Sequence, residues 1–243
     1  MKVQYINKPV MPVSILVIGA GGNGSQIITQ LARINHALQA LGKPGLDVCL
    51  MDDDLVSESN IGRQMFSVAE IGQPKANILI SRINRFYGLQ WQSIPHKFAE
   101  NSGQFPATNI IITCTDNVAS RRAVHAQATA ASKAKQSSHE NKFHYWLDMG
   151  NTKDRGQVIL GSPRHKLPTV IDKYPEAEKM EAKDDTPSCS IAEALAKQDL
   201  FVNTFMADTA AKLLWEMFIA PESIDWCGAY INCTNLNIKK IAA

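Results

Sequence analysis

Residues 13–24 read VSILVIGAGGNG, a β-branched apolar run that breaks into glycines. The run suits a buried strand. From about residue 22 to 38 the apolar positions recur at helical spacing. GAGGNG therefore satisfies GxGxxG in the required context, between a strand and a helix. Within it Gly19 allows the turn, Gly21 lets the backbone approach a phosphate and Gly24 permits close packing of the helix; these three and Gly22 are the candidate nucleotide-binding glycines. A helix N-terminus favours phosphate because its amides are unpaired and its dipole end is positive. A glycine-rich turn without a ligand is the other reading of the same residues.

Working outward, residues 46–51 (LDVCLM) read as a second strand and 74–87 as a helix with Ile78, Leu79, Ile83 and Phe86 at helical spacing. LQWQSI (89–94) alternates as a short strand, NIIITCT (109–115) reads as a buried strand, and 117–135 as a helix. HYWLDMG and QVILGS (144–162) read as antiparallel neighbours joined by the turn NTKDRG. Residues 162–188, with four prolines and many charges, read as one long loop. SIAEALAKQ and FVNTFMADTAAKLLWEMFIA read as helices, and AYINCTNLNIKKI as a last strand. Strand–helix alternation over the first 135 residues predicts an α/β fold, a mostly parallel sheet with helices on both faces and antiparallel strands added in the C-terminal half.

The 243 residues suit one domain, with 1–135 as a nucleotide-binding half and 136–243 as a substrate-binding half that carries a crossover loop at 162–190. A formal net charge of +2 and the lack of a basic stripe argue against nucleic acid as a partner. No apolar run reaches the roughly 20 residues that span a bilayer, and the N-terminus lacks a signal-peptide pattern, so a cytoplasmic protein without a membrane partner is expected. The five cysteines include no CxxC, which argues against a disulfide framework and against a zinc site. Cys49 and Cys114 lie in apolar runs and read as core residues. His139 and His144 are the closest histidine pair, and a metal site there is not expected.

The next stretch, MDDDLVSESNIGRQMFS (51–67), follows the second strand with three acids. Asp52 stands where an acid commonly accepts a bond from a ribose hydroxyl, a placement that suits NAD and ATP alike. Arg63 is harder to explain in a dehydrogenase. In GQPKAN (72–77), Pro74 suits the first helical position and Lys75 the first turn, where a cation is disfavoured unless it holds an anion. In CTDN (114–117), Asp116 falls at the carboxyl end of a buried strand, the edge where open α/β sheets bind ligands, and Asn117 can cap the helix. Taken singly, Asp116 also reads as a cap, and Arg63 and Lys75 as solvated charges.

Together GAGGNGS, the DxDxVxxSNxxRQ pattern from Asp52 to Gln64, GQPKA and CTDN resemble the ThiF/MoeB family, the adenylating core shared with ubiquitin-activating enzymes. The motifs stand in family order over roughly residues 13–125. TPSCS (186–190) is similar to the segment before the crossover helix in several members, and DDTPSCSIAEALAKQDLFVNT resembles the branch named for the ParB-related, ThiF-related cassette of bacterial plasmids. The resemblance implies a Rossmann-like fold and an adenylyltransferase that uses ATP and magnesium. It implies that Asp52 binds ribose, that Asn60, Arg63 and Lys75 hold the triphosphate, and that Asp116, helped by Asp54, binds magnesium. Asp53 has no assigned role. The implied partners are a ubiquitin-like carrier protein, a second copy of the chain and a downstream conjugating protein. Two family features are missing: the paired CxxC zinc ligands and an N-terminal arginine, since residues 1–32 contain none.

Cys189 precedes Ser190, whose spacing to Glu193 makes a capping box. A thiol at a helix N-terminus can be activated as a nucleophile, so Cys189 reads either as the acceptor of an acyl group in a thioester or as a packing residue on the first turn. The whole-chain expectation is ATP-dependent adenylation of the C-terminal carboxylate of a ubiquitin-like protein. An NAD-dependent oxidoreductase, a non-catalytic nucleotide-binding scaffold and adenylation of a tRNA base or peptide are the rival readings.

Overall fold

The computed structural model describes residues 9–98, 108–115, 118–133, 143–175, 197–222 and 224–243. Eight strands form one sheet in the order β3-β2-β1-β4-β5-β6-β7-β8. They are β1 (Val13–Ile18), β2 (Leu46–Met51), β3 (Gln92–Ile94), β4 (Ile110–Thr113), β5 (Tyr145–Asn151), β6 (Arg155–Gly161), β7 (Trp226–Asn232) and β8 (Asn237–Ala242). The first five are parallel to one another, and the remaining three join antiparallel. This is the expected architecture.

Alternation along each strand sorts the side chains between two cores. Ile15, Val17, Ile110, Ile112, Leu147 and Leu160 face one side, where α1 (Gly22–Ala40), α2 (Lys75–Tyr87) and α5 (Val202–Ile219) cover them. Leu16, Ile18, Ile111, Trp146 and Ile159 face the other, against α3 (Val118–Lys133) and α4 (Val170–Lys173). Every described residue of β4 is buried, as befits a central strand covered on both faces. Among the described residues no helix is long and apolar enough to cross a membrane.

Three expectations need correction. The tail predicted as one strand is a hairpin of β7 and β8. Alternation continues on both arms, which conceals the break. The Asn232 side chain makes the turn by accepting bonds from the amides of Thr234 (3.0 Å) and Asn235 (3.4 Å), and Leu236 sits at φ 51°. The long loop predicted over 162–188 begins as ordered structure. Ser162 and Leu167 exchange backbone bonds, and α4 follows, capped where the Asp172 carboxylate accepts from the Thr169 amide at 2.7 Å. Val170 and Ile171, two apolar residues among many charges, are enough to anchor that turn in the second core. Finally, only 92–94 of the stretch read as 89–94 is strand, because Asn84 intercepts the backbone of Trp91 on both its N–H and C=O.

Candidate active site

The glycine turn leaves β1 with Gly19 at φ +97°, a left-handed conformation that needs glycine. Two further positions are sterically closed to a side chain. A Cβ on Gly24 would lie 1.9 Å from the Gly19 carbonyl oxygen, and one on Gly22 would lie 2.4 Å from Asn203 Nδ2 of α5. Gly24 thus has the packing role read from the motif, and Gly22 has one the motif does not reveal. The first turn of α1 is sandwiched between its own loop and the start of α5.

Asp52 follows β2 directly and grips this turn. Its Oδ2 accepts the Ala20 amide at 2.6 Å and its Oδ1 accepts the Asp54 amide at 2.9 Å. Burial pushes the Asp52 carboxyl above the ordinary aspartate range, while those amides and the Lys75 charge pull it back. Lys75 opens α2 after Pro74, which caps rather than begins the helix. It is only 5% exposed, and its Nζ donates to Asp54 Oδ2 at 2.8 Å. The anion that sequence reasoning demanded for Lys75 is therefore present within the chain. Asp54 itself is 64% exposed at its side chain and borders solvent, and Asp53 is exposed.

The segment after Asp54 folds back on the same turn. The Asn60 side-chain oxygen accepts the Ser57 amide at 2.9 Å, so this residue shapes the loop. Gln64 is buried beneath Gly21, and the Met65 amide donates to Ser25 Oγ at 3.3 Å. Arg63 lies between these anchors, and its Nη1 donates to Gln198 Oε1 at 2.5 Å. Thus Gly19, Gly21, Gly22, Gly24, Asp52, Asp54, Asn60, Arg63 and Lys75 converge beyond the carboxyl ends of β1 and β2. Asp116, Asn117 and Cys189 lie outside the described residues.

A second polar network, missed in the sequence, lies under β4 and β5. Asp148, 1% exposed, accepts from Thr113 Oγ1 at 2.5 Å and from Arg121 Nε at 2.8 Å, and Trp146 Nε1 donates to the Thr113 hydroxyl at 2.9 Å. Its signal was an acid inside the apolar run YWLDMG. Four buried oxygen atoms around this end of the sheet make no hydrogen bond among the described residues: Asn23 Oδ1, Gln64 Oε1, Thr115 Oγ1 and Asp148 Oδ2. Buried polar groups are rarely left this way, and their concentration beside the glycine turn suits a polar ligand.

Cys49 and Cys114, read as core residues, are half-buried and pack against the margins of the two cores. Burial raises the Cys49 thiol to about 11 and the Cys114 thiol well above its usual value. His144 pairs with His165, Nδ1 to Nε2 at 3.3 Å; His139 lies outside the described residues. No cluster of three metal-binding side chains occurs among the described residues.

A glycine turn after β1, an acid after β2 and an open carboxyl edge define a doubly wound α/β domain of the nucleotide-binding type. The chain belongs to the ThiF family, whose profile matches residues 8–240. It is 27% identical to the NEDD8-activating enzyme E1 catalytic subunit of Schizosaccharomyces pombe over 189 residues, 73% of this chain and 36% of that protein. It is 33% identical to the molybdopterin-synthase adenylyltransferase of Escherichia coli over 122 residues, 48% of this chain and 45% of that one. The matches thus span less than half the length of these relatives. Among solved structures, Escherichia coli MccB superposes with a TM-score of 0.62 at 15% identity, covering 95% of this chain and 62% of its own. That likeness concerns the fold.

Proposed function

We propose that this protein uses ATP to adenylate the C-terminal carboxylate of a small ubiquitin-like protein. The observation that carries the reading is a glycine turn gripped by Asp52, with a buried lysine, Lys75, and Arg63 on the segments that follow it. Two fixed cations suit a triphosphate, whose leaving pyrophosphate gathers negative charge. Family membership and the adenylyltransferases among the relatives support the same reading.

In the proposed reaction a carboxylate oxygen of the carrier attacks the α-phosphorus, the bond to the bridging oxygen breaks, and pyrophosphate leaves with that electron pair. Asp52 would accept a ribose hydroxyl while the α1 N-terminus, Arg63 and Lys75 hold the phosphates; Asn60 shapes their loop and completes the shell. Magnesium is commonly held by one or two carboxylates plus phosphate oxygens; Asp116 and Asp54 would hold it here, and the ion would neutralise phosphate charge. Lys75 would exchange Asp54 for phosphate as ligand enters. A second step would transfer the acyl group from adenylate to the Cys189 sulfur, releasing AMP. We place two copies in the active assembly, joined through α1 or α5, and expect the acyl group to pass to a downstream conjugating protein in the cytoplasm.

The test is pyrophosphate exchange into ATP with candidate glycine-ended carriers. Exchange that depends on the carrier and is lost in Lys75→Met supports the reading; NADH binding without ATP binding overturns it. A thiol-sensitive carrier adduct lost in Cys189→Ala would establish the second step. Adenylate formation without such an adduct in the wild type would mean direct transfer to another acceptor.

A further inference from the structure

Arg63 is assigned to the triphosphate, yet one of its bonds goes to a side chain 135 residues away. Gln198 Oε1 accepts from Arg63 Nη1 at 2.5 Å and from Asn203 Nδ2 at 3.4 Å. Asn203 is 2% exposed, and its amide fills the space above Gly22 where a Cβ would clash. One carboxamide oxygen therefore ties together three pieces of the site: the loop carrying Arg63, the first turn of α1 and the first turn of α5.

The support behind Gln198 is firm on its far side as well. The next residue donates its amide to the Lys153 carbonyl at 2.7 Å, in the turn between β5 and β6. The Asp199 carboxylate then accepts the Phe201 amide at 2.9 Å, which sets the entry into α5. Gln198 is thus fixed by backbone and by a buried neighbour before it reaches Arg63. A neutral acceptor suits this task. It orients the guanidinium through one N–H without cancelling its charge, which preserves the attraction for an anion. A carboxylate at the same place would hold Arg63 harder and compete with phosphate.

We infer that Gln198 is a positioning residue for phosphate recognition: it presents Arg63 to the β- and γ-phosphates by anchoring it to α1 and α5. The inference rests on the nucleotide reading of the site. It predicts discrimination by phosphate number. Gln198→Ala should weaken ATP about tenfold, the scale of one bond to a charged group, while AMP, which lacks the outer phosphates, binds as in wild type. On an Arg63→Ala background the same change should add nothing. Gln198→Glu supplies the readout that a merely structural role would not move. An ion pair between Arg63 and the introduced carboxylate should keep or raise the thermal midpoint, yet ATP affinity should fall while AMP affinity stays.

The measurements are calorimetric titrations of ATP and AMP into the full chain and its variants, with thermal midpoints alongside. If the wild type takes up ATP but Gln198→Ala binds it equally well, or loses ATP and AMP alike, the positioning role is wrong and the nucleotide reading stands. Full additivity with Arg63→Ala, or unchanged ATP affinity in Gln198→Glu, also overturns it. If the wild type binds neither nucleotide, the nucleotide reading fails first and this inference falls with it.

Discussion

Asp52 carries a charge the fold does not favour. Because burial raises its carboxyl, the folded state binds a proton there more tightly than the unfolded chain. The associated stability is complete below the ordinary aspartate range and is lost as pH rises through the raised folded value. In Asp52→Asn that loss cannot occur. The stability deficit of the variant, measured by urea unfolding between about pH 3 and 7, should therefore shrink as pH rises; a deficit that grows would contradict the assigned sign. The Arg121–Asp148 pair behaves differently. Arg121→Met would leave a carboxylate that is 1% exposed without its counter-ion, at a cost of about 3–5 kcal/mol. Replacing both residues with apolar ones should recover much of that, which a double-mutant cycle in denaturant would measure. At this scale Asp52, Arg63 and Lys75 were legible because each breaks a local rule: acids crowd the end of a strand, and a lysine opens a helix. Gln198 and Asn203 break none. Their meaning comes from partners far along the chain, and a glutamine in a polar stretch gives no sign of which arginine it will meet.

The elements around the glycine turn depend on contact distances more than on propensity. Gly22→Ala should destabilise by about 1–3 kcal/mol, the usual cost of overpacking, because the new methyl meets the Asn203 side chain. Asn203→Ala in the same chain should return part of the loss in thermal midpoint. If the double variant is no better than Gly22→Ala alone, the clash lies with backbone. Most strands and helices of the first half were legible from pattern alone, since β1, β2 and β4 are mainly apolar and α1 and α2 repeat at helical spacing, whereas β3 was legible only in part. The β7–β8 turn was not, because Asn232 reverses the chain without disturbing alternation. Neither was α4, whose four residues are too few for a period to register. In both cases side-chain hydrogen bonds to the backbone decide the local structure, and such bonds leave little trace in hydropathy.

At the scale of the molecule the sheet order matters most. The family, the parallel half and the antiparallel addition could be read from ordered motifs, but not the way the C-terminal half closes over the beginning. The two sequence halves are not spatial halves. β5 completes the parallel sheet on β4, and α5 packs along α1. Gln30 of α1 donates to Asp208 of α5 at 2.5 Å, and Lys43 after α1 donates to the Phe218 carbonyl at 2.6 Å. Severing the chain between residues 133 and 143 would leave the N-terminal fragment with α1 uncovered and β4 as a bare apolar edge, a poor candidate for independent folding. The C-terminal fragment would keep its hairpins but lose the surface beneath α5. Each piece alone should lack cooperative unfolding in calorimetry, and mixing them should restore one transition. Two peptides that are inert apart and whole together make a reporter: fused to separate proteins, they would register the meeting of those proteins by regaining a fold.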